Sequence, residues 1–446
     1  MRTASRPRGA AVALAALVAL NGAAIVVLWI RAGGFTDVHG LGSGLTSAGR
    51  LAGLLGAAAA LLALLLLARI PVLDRLYGFD RLAAWHRIDA RACITLLLAH
   101  AALILAGYTI GDRISLWAEV KRLISGYPGV ITAVAGLAIL VAVVVTSIVA
   151  VRRRLRYETW WFVHLYAYLA IALAFSHQID TGTAFVGDGL ARAYWTALYA
   201  AVVAVLVVCR IGAPLARSLW HDLRVERVVE EAPGVVSIEV GGRRLEHLRA
   251  RSGQFLLWRF LTHDRWWEAH PFSLSARPDG RRLRITVKSL GDFTQRLGDV
   301  RPGTRVIVEG PFGAFTTAAR RRPRVALIAG GVGITPIRAL LEDMPGDPGD
   351  ITVIYRALSD GELILREELE ALARRRGTEL HYVIGDHREP TAGELLSPEH
   401  LRALVPDIAA RDVYVCGPPA MADATRASLI AAAVPRRQIV TERFAL

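Results

Sequence analysis

The sequence predicts a multidomain membrane protein: a six-helix transmembrane bundle, then an antiparallel β-barrel domain, then an α/β domain built on a parallel sheet. Three observations predict it. Hydrophobic residues make up 54% of the 446-residue chain, and its mean hydropathy is +0.39, well above the balance of a soluble protein. These residues gather into long uninterrupted runs in the first half, whereas from about Trp220 the composition is ordinary. In the second half, short strands separated by turns give way near Arg324 to strands alternating with helical stretches.

Apolar runs of about twenty residues suffice to span a bilayer as helices, and six are present, at about 10–30, 47–68, 86–107, 128–151, 160–177 and 192–211. An even number places both termini on one side. Arg2, Arg6 and Arg8 precede the first run, Arg69, Arg75, Arg81, Arg87 and Arg91 surround the second turnaround, and Arg152, Arg153, Arg154 and Arg156 fill the fourth. The positive-inside rule then puts these ends and both termini in the cytoplasm, with the chain in the cell membrane. The first run exceeds the roughly 7–15 residues of a signal-peptide core, and five more follow, which favours a retained helix.

Much of the net charge of +14 is explained by these juxtamembrane arginines, so nucleic acid is not an expected partner. Cys93, Cys209 and Cys416 are far apart, which excludes a disulfide framework or a CxxC metal site. A four-cysteine iron–sulfur cluster cannot be built within this chain.

Four histidines stand in two of the apolar runs, His86 and His100 in one and His164 and His177 in the other. Metal-liganding side chains are costly in hydrocarbon and are therefore a functional signal. One alone would read equally well as a buried residue bonded to a neighbouring helix. The 14-residue step from His86 to His100 is close to four turns, so both rings leave one helix face about 21 Å apart along the axis. The 13-residue step from His164 to His177 leaves the second ring about 140° around the helix, and an irregularity of the helix near His177 is expected to correct it. Both helices run the same way, so His86 is expected to face His164 and His100 to face His177. Two haems, each with two axial imidazoles and no vacant position, would make this half an electron path.

The barrel is read from strands at Val235 to Val240, Gln254 to Phe260, Leu283 to Lys288 and Arg305 to Val308. The parallel sheet is read from Arg324 to Ala329, Ile351 to Tyr355, Leu380 to Ile384 and Val413 to Cys416. After the first of these comes Gly330-Gly331-Val332-Gly333-Ile334-Thr335-Pro336, leading into a helix. Glycines there let the backbone approach a pyrophosphate at the helix N-terminus; a purely structural turn is the plainer alternative.

The histidine pairs, His270-Pro271-Phe272-Ser273-Leu274-Ser275, the glycine motif, Val413-Tyr414-Val415-Cys416-Gly417-Pro418-Pro419 and the terminal Glu442-Arg443-Phe444 together resemble the ferric reductase and NADPH oxidase superfamily. That superfamily joins a haem-bearing membrane domain to a ferredoxin-reductase-like flavoprotein, and the resemblance covers nearly the whole chain. It implies a di-haem domain at 1–215, an FAD-binding barrel at 216–320 and an NAD(P)-binding domain at 321–446. It also implies FAD contacts at His270, Pro271, Phe272 and Ser273, and a second flavin segment at Lys288, Ser289, Gly291, Asp292, Phe293 and Thr294. Gly330, Gly331, Gly333, Thr335 and Pro336 match the dinucleotide pyrophosphate loop, and Cys416, Gly417 and Pro418 the motif beside the nicotinamide. Phe444 resembles the aromatic that covers the flavin, although Ala445 and Leu446 extend beyond it, and Glu442 would contact flavin or nicotinamide.

Arg356 follows the second strand of the nucleotide unit with no acidic residue at that strand end, which favours NADPH over NADH. The implied activity is an NAD(P)H-dependent flavohaem oxidoreductase carrying FAD and two haem b, with a ferric chelate as the favoured extracytoplasmic acceptor. Superoxide production is an alternative. Members that reduce oxygen can carry a further histidine one turn after the outer ligand on the third helix, where this chain has Ile104. Arg50 would orient a haem propionate or an anionic acceptor, or simply snorkel. A membrane-anchored flavin reductase without haem is the other alternative.

Overall fold

The computed structural model describes residues 8–148, 151, 155, 157–264, 266–385 and 395–443. Arg2, Arg6, Arg152, Arg153, Arg154, Arg156 and Phe444, all named above, lie outside the described residues. The chain divides into two compact units, Met1–Ile211 and Gly212–Leu446.

The first unit is helical: α1 (Arg8–Arg31), α2 (Leu41–Leu66), α3 (Pro71–Tyr77), α4 (Phe79–Asp112), α5 (Leu116–Gly126), α6 (Val130–Ser147), α7 (Tyr157–Thr181) and α8 (Gly189–Val207). Among the described residues, six helices are long and apolar enough to cross a membrane, matching the six runs of the sequence. Two helix pairs dominate the packing, α2 along α4 and α6 along α7.

Small residues set the first pair. Gly42 abuts Gly107, where a Cβ would come within 2.9 Å of the Gly107 carbonyl. The Gly49 carbonyl accepts from His100, the Gly56 carbonyl from the Cys93 thiol, and the Ala63 carbonyl from His86. Each contact lies seven residues from the next on both antiparallel helices. That is the seam period of packed helices, and small side chains are what allow backbones so close in a membrane. The second pair repeats the device, since a Cβ on Gly129 would lie 2.8 Å from the His177 amide nitrogen and one on Gly136 would lie 2.6 Å from the Ala170 carbonyl.

The last span passes through a π-helical turn, Val208–Gly212, into α9 (Ala213–His221). Arg217 of α9 donates to the Gly310 carbonyl at 2.6 Å, so this short helix belongs to the second unit and the boundary falls slightly ahead of the expected 215.

In the second unit, β1 (Arg224–Ala232), β2 (Val235–Gly241) and β5 (Arg282–Lys288) form one antiparallel sheet, ordered β1-β2-β5. A second contains β3 (Phe255–Phe260), β4 (His270–Ser273) and β6 (Val306–Phe312), ordered β4-β3-β6. Isolated bridges at Arg224–Arg305 and Leu274–Ile285 join the sheets, so the antiparallel unit expected as a barrel takes the form of two bridged sheets. Alternate residues such as Ile238, Val240, Leu256, Trp258, Ile285 and Val308 point into one core.

The remainder is a five-stranded parallel sheet, β7 (Val325–Gly330), β8 (Ile351–Ala357), β9 (Glu379–Ile384), β10 (Asp412–Gly417) and β11 (Ile439–Arg443), ordered β11-β10-β7-β8-β9. It is flanked by α10 (Ile334–Asp343), α11 (Arg366–Arg376), α12 (Pro398–Leu404) and α13 (Pro419–Ala431). Every residue of β7 and of β10 is buried, as expected of parallel strands covered on both faces. Strand order reverses between β7 and β10, the position at which such sheets open a crevice at their carboxyl ends.

Outside the candidate spans, α3 carries Asp74 with neither carboxylate oxygen hydrogen-bonded among the described residues. Burial pushes this carboxyl up to about 6 from 3.8, with Arg69 opposing the shift. A raised carboxyl contributes full stability below its unfolded value, and loses it as pH rises through about 6. Asp74→Asn is therefore expected to raise the melting temperature at pH 7 modestly and to flatten its pH dependence between about 4 and 6. Thermal scans across that range check it; an unchanged slope would refute the assignment.

Candidate functional site

The two histidine pairs meet inside the helical unit. Ring centroids are 6.2 Å apart for His86 and His164 and 6.3 Å apart for His100 and His177. Two imidazoles sharing one metal ion through Nε2, with bonds of about 2.0 Å and about 1.1 Å from Nε2 to ring centre, would stand about 6 Å apart. The spacing fits.

All four Nδ1 atoms are engaged by partners other than the facing ring. His86 Nδ1 reaches the Ala63 carbonyl at 3.0 Å and His100 Nδ1 the Gly49 carbonyl at 2.8 Å. His177 Nδ1 meets Thr181 Oγ1 at 2.8 Å, and that hydroxyl gives its own proton to the His177 carbonyl at 2.6 Å. His164 Nδ1 meets Ser147 Oγ at 3.4 Å; this hydroxyl donates to the Val143 carbonyl at 2.7 Å and also accepts from Trp160 Nε1. Each ring therefore donates from Nδ1, which leaves every Nε2 with a free lone pair, the tautomer a metal-binding imidazole needs.

The irregularity expected near His177 is absent: α7 runs as an unbroken α-helix to Thr181. The 13-residue spacing is met instead by unlike anchors. His177 lies on the seam with α6, opposite Gly129, and is tied to its own helix by Thr181. His164 lies one residue off the seven-residue series that descends from His177 through Ala170. It is held by Ser147 from α6 and stacks on Trp160 with centroids 5.1 Å apart.

Around His100 and His177 opens a cavity of about 400 Å³, a volume typical of a small-molecule site. Its walls include Gly53, Leu97, Ile104, Leu137, Ala170 and Trp195, with Arg50 also facing it. A Cβ on Gly53 would lie 2.6 Å from His100 Nδ1, so glycine is needed there. The α5 helix, whose Val120, Leu123 and Ile124 complete the wall, carried no signal in the reading of the histidines. A flat apolar macrocycle carried between two imidazoles suits this donor set and lining.

The expected flavin residues converge in the antiparallel unit. His270 stacks on Phe293 at 3.8 Å, and Phe272 is nearly parallel to Phe293 at 6.4 Å. Pro271 is exposed beside them. Ser273 is buried and its hydroxyl has no hydrogen-bond partner among the described residues; the same holds for Ser252, which sequence reasoning missed. Orphaned hydroxyls in a buried site call for a ligand or water, and with the stacked rings they fit a flavin.

The second flavin segment is more tightly committed to the protein. Lys288 pairs with Glu362 at 3.7 Å, and the Ser289 amide donates to the Gly234 carbonyl. Thr294 Oγ1 accepts from the Leu290 and Gly291 amides and donates to the Gly291 carbonyl. Asp292 opens the short helical turn Asp292–Gln295. These residues shape a turn that presents Phe293.

The dinucleotide motif sits at the carboxyl ends of β7 and β10. A Cβ on Gly333 would lie 2.2 Å from the Cys416 carbonyl, and one on Gly330 or Gly417 would collide with Met421. Gly331, at φ +52°, has open space where its Cβ would be. Thr335 is buried and donates to the Val332 carbonyl at 3.0 Å, and Pro336 is buried in the first turn of α10. Pro418 leads from β10 into α13. The glycine turn and the N-terminus of α10 thus lie at the carboxyl end of the sheet, beside the reversal of strand order, where backbone amides can receive a pyrophosphate.

Cys416 is fully buried, and burial together with Glu442 pushes its thiol well above the ordinary value. It is therefore a neutral packing and positioning group here, not a thiolate. Glu442 lies opposite Cys416 in the β10–β11 register, and its Oε1 would stand 3.8 Å from a Cβ on Gly313. The expected 2′-phosphate role of Arg356 does not fit its placement. Its guanidinium donates to the strand-end carbonyls of Ala357, Val383 and Gly385, because the β8–β9 register surrounds it with main chain.

Three family models match the chain: a ferric reductase like transmembrane component over residues 52–175, an FAD-binding domain over 234–316 and an oxidoreductase NAD-binding domain over 327–427. NADH-cytochrome b5 reductase 2 of Chaetomium globosum is 32% identical over 166 residues, covering 34% of this chain and 48% of that protein. NADH-cytochrome b5 reductase 1 of Candida glabrata is 26% identical over 174 residues, covering 36% and 60%. The chain thus spans about half the length of the curated relatives it matches. Among solved structures, the flavohem-like FAD/NAD binding domain of nitric oxide dioxygenase from Vibrio cholerae aligns with a TM-score of 0.42 and 23% identity, covering 50% of this chain and 98% of that one.

Two outcomes are expected from this geometry. In the native protein at pH 8, Cys416 should resist alkylation and react only after unfolding, as read by mass spectrometry; labelling of the folded protein would contradict its burial. Gly333→Val should weaken dinucleotide binding at least about tenfold by forcing the β10 end aside, while flavin content is retained.

Proposed function

Because the chain has the ferric reductase and NADPH oxidase architecture, we propose that this NAD(P)H-dependent oxidoreductase moves electrons across the cell membrane to an extracytoplasmic acceptor, with a ferric chelate favoured. Both termini would be cytoplasmic. When bound, FAD would supply conversion of a hydride from NAD(P)H into single electrons, and two b-type haems would supply one-electron relays at two depths.

The histidine geometry is the main support: two ring pairs with centroids 6.2 and 6.3 Å apart, each ring held through Nδ1 by its own anchor so that Nε2 keeps its lone pair. His86 and His164 would hold the inner group, His100 and His177 the outer one. An imidazole on each side of both gaps would leave no vacant ligand position there, so these residues would hold a group that supplies electron transfer rather than substrate binding. Apolar walls around the outer pair would exclude water and hold the group's orientation.

In the second unit, His270, Phe272 and Phe293 would position the flavin ring, and Ser273 and Ser252 would satisfy their hydroxyls on it. Gly330, Gly331 and Gly333 would let the β7–α10 turn approach the dinucleotide pyrophosphate. Cys416, Gly417 and Pro418 would shape the floor beside the nicotinamide, with Glu442 at its margin. With the Arg356 fork occupied by carbonyls, NADH and NADPH are both admitted as donors.

Dithionite reduction of the purified protein should give a b-type haem spectrum, and His100→Ala or His177→Ala should remove about half of it. Absence of haem bands from haem-supplied cells would leave a membrane-anchored flavin reductase. Oxidation of NADH and NADPH by the membrane-embedded protein, with ferric citrate or oxygen as acceptor and superoxide followed separately, tests donor and acceptor. Superoxide accounting for most of the flux would overturn the ferric assignment.

A further inference from the structure

Two segments of the second unit expose large apolar side chains. Helix α9 presents Leu215, Leu219 and Trp220 to solvent, with Leu219 80% exposed. Its opposite face carries the buried Pro214 and His221 and the Arg217 contact to Gly310. Leu215 and Leu219 are one turn apart, so both leave the helix on the same side. Between β3 and β4, the described residues 261–264 and 266–269 expose Leu261, Trp266 and Trp267.

Backbone bonds bring these segments to one end of β6. The Val306 amide donates to the Leu223 carbonyl just beyond α9, and the Leu261 amide donates to the Arg305 carbonyl at the start of the loop. Exposed apolar surface of this kind marks an interaction site, and the surrounding charges select the occupant.

Asp222 pairs with Arg224, Asp264 with Arg296 and Glu268 with His270, which leaves Asp299 as an exposed carboxylate without an ion pair among the described residues. Arg243, Arg301 and Arg305 are exposed and make no ion pair among the described residues, and Arg244 lies over the Trp220 ring at 4.8 Å. Tryptophan, exposed leucine and unpaired arginine together form the composition of a surface at the bilayer interface, and anionic headgroups complement its charge. The sixth candidate span leads directly into α9 in the chain, and its helical range runs on to His221.

We propose that this edge of the second unit docks on anionic lipid, with Leu219, Trp266 and Trp267 at headgroup depth and Arg243, Arg301 and Arg305 against lipid phosphates. The loop ends at His270, so docking holds the ring-bearing strand β4 next to the membrane surface. The assignment concerns surface chemistry alone and stands whether or not the haem reading does.

The test uses full-length protein in nanodiscs of phosphatidylcholine with or without phosphatidylglycerol. Spin labels are placed at Leu219→Cys and Trp267→Cys in a Cys209→Ser background, where the other cysteines are buried. A label at Arg374→Cys, 74% exposed on α11, is the control. With anionic lipid, the ratio of oxygen to aqueous nickel accessibility should exceed the control at least about fivefold at both sites, and should fall in its absence. Ratios equal to the control in both lipids overturn the proposal. Protection independent of lipid and lost on dilution assigns the face to a second copy of the chain and also overturns it. Hydrogen exchange of the unsubstituted protein over 214–222 and 261–269 gives the same comparison without a variant.

Discussion

The backbone of α2 lies so close to α4 that carbonyls of Gly49, Gly56 and Ala63 accept hydrogen bonds from side chains of the neighbouring helix. Bulky side chains at those positions would push the helices apart and leave the His86 and His100 rings without acceptors. Hydrocarbon offers no water to replace such a bond, so the small-residue seam and the orientation of the histidines are one constraint seen twice. The 14-residue spacing of the histidines is two periods of that seam. The cavity exists because the seam holds these rings at one edge while α7 brings the second pair to the other.

The nucleotide end of the second unit is governed by the same kind of approach. Gly330, Gly333 and Gly417 are glycines because Met421 and the Cys416 carbonyl occupy the space a Cβ would need. The strand ends of β7 and β10 thereby close on each other, and the amides that follow them lie beside the reversal of strand order. Main chain, more than side chain, builds both candidate sites.

Much of this was legible in the sequence. Runs of apolar residues and the change to alternating strands are properties of composition, and they located six spans and the parallel sheet within a few residues. His270, Phe272 and Phe293 were grouped as flavin candidates because a resemblance joined segments far apart in the chain, and their rings do lie together. What escaped depends on contacts between elements. Thr181, four residues after His177, could have been read as a one-turn partner, whereas Ser147 reaches His164 only because α6 and α7 pack antiparallel. Arg356 looked free at a strand end, but the carbonyls around it belong to a register that no local pattern reveals. The seven-residue series Gly42, Gly49, Gly56, Ala63 was visible, yet it acquires meaning only beside Gly107, His100, Cys93 and His86.

The anchors of the histidines differ in kind. On α4, both rings donate to peptide carbonyls, which no substitution can delete; on α7, both donate to hydroxyl groups, Ser147 and Thr181, each encoded by a single codon. A hydroxyl that already donates is polarised into a better acceptor, but it is still a different acceptor from a peptide carbonyl, so the two rings of each pair have unlike Nδ1 partners. One side of each pair is a constant of the fold and the other an adjustable setting. Exchanging Ser, Thr, Ala or Asn at those two positions would change the partner of one ring in each pair, with the small-residue seam of α2 and α4 left untouched.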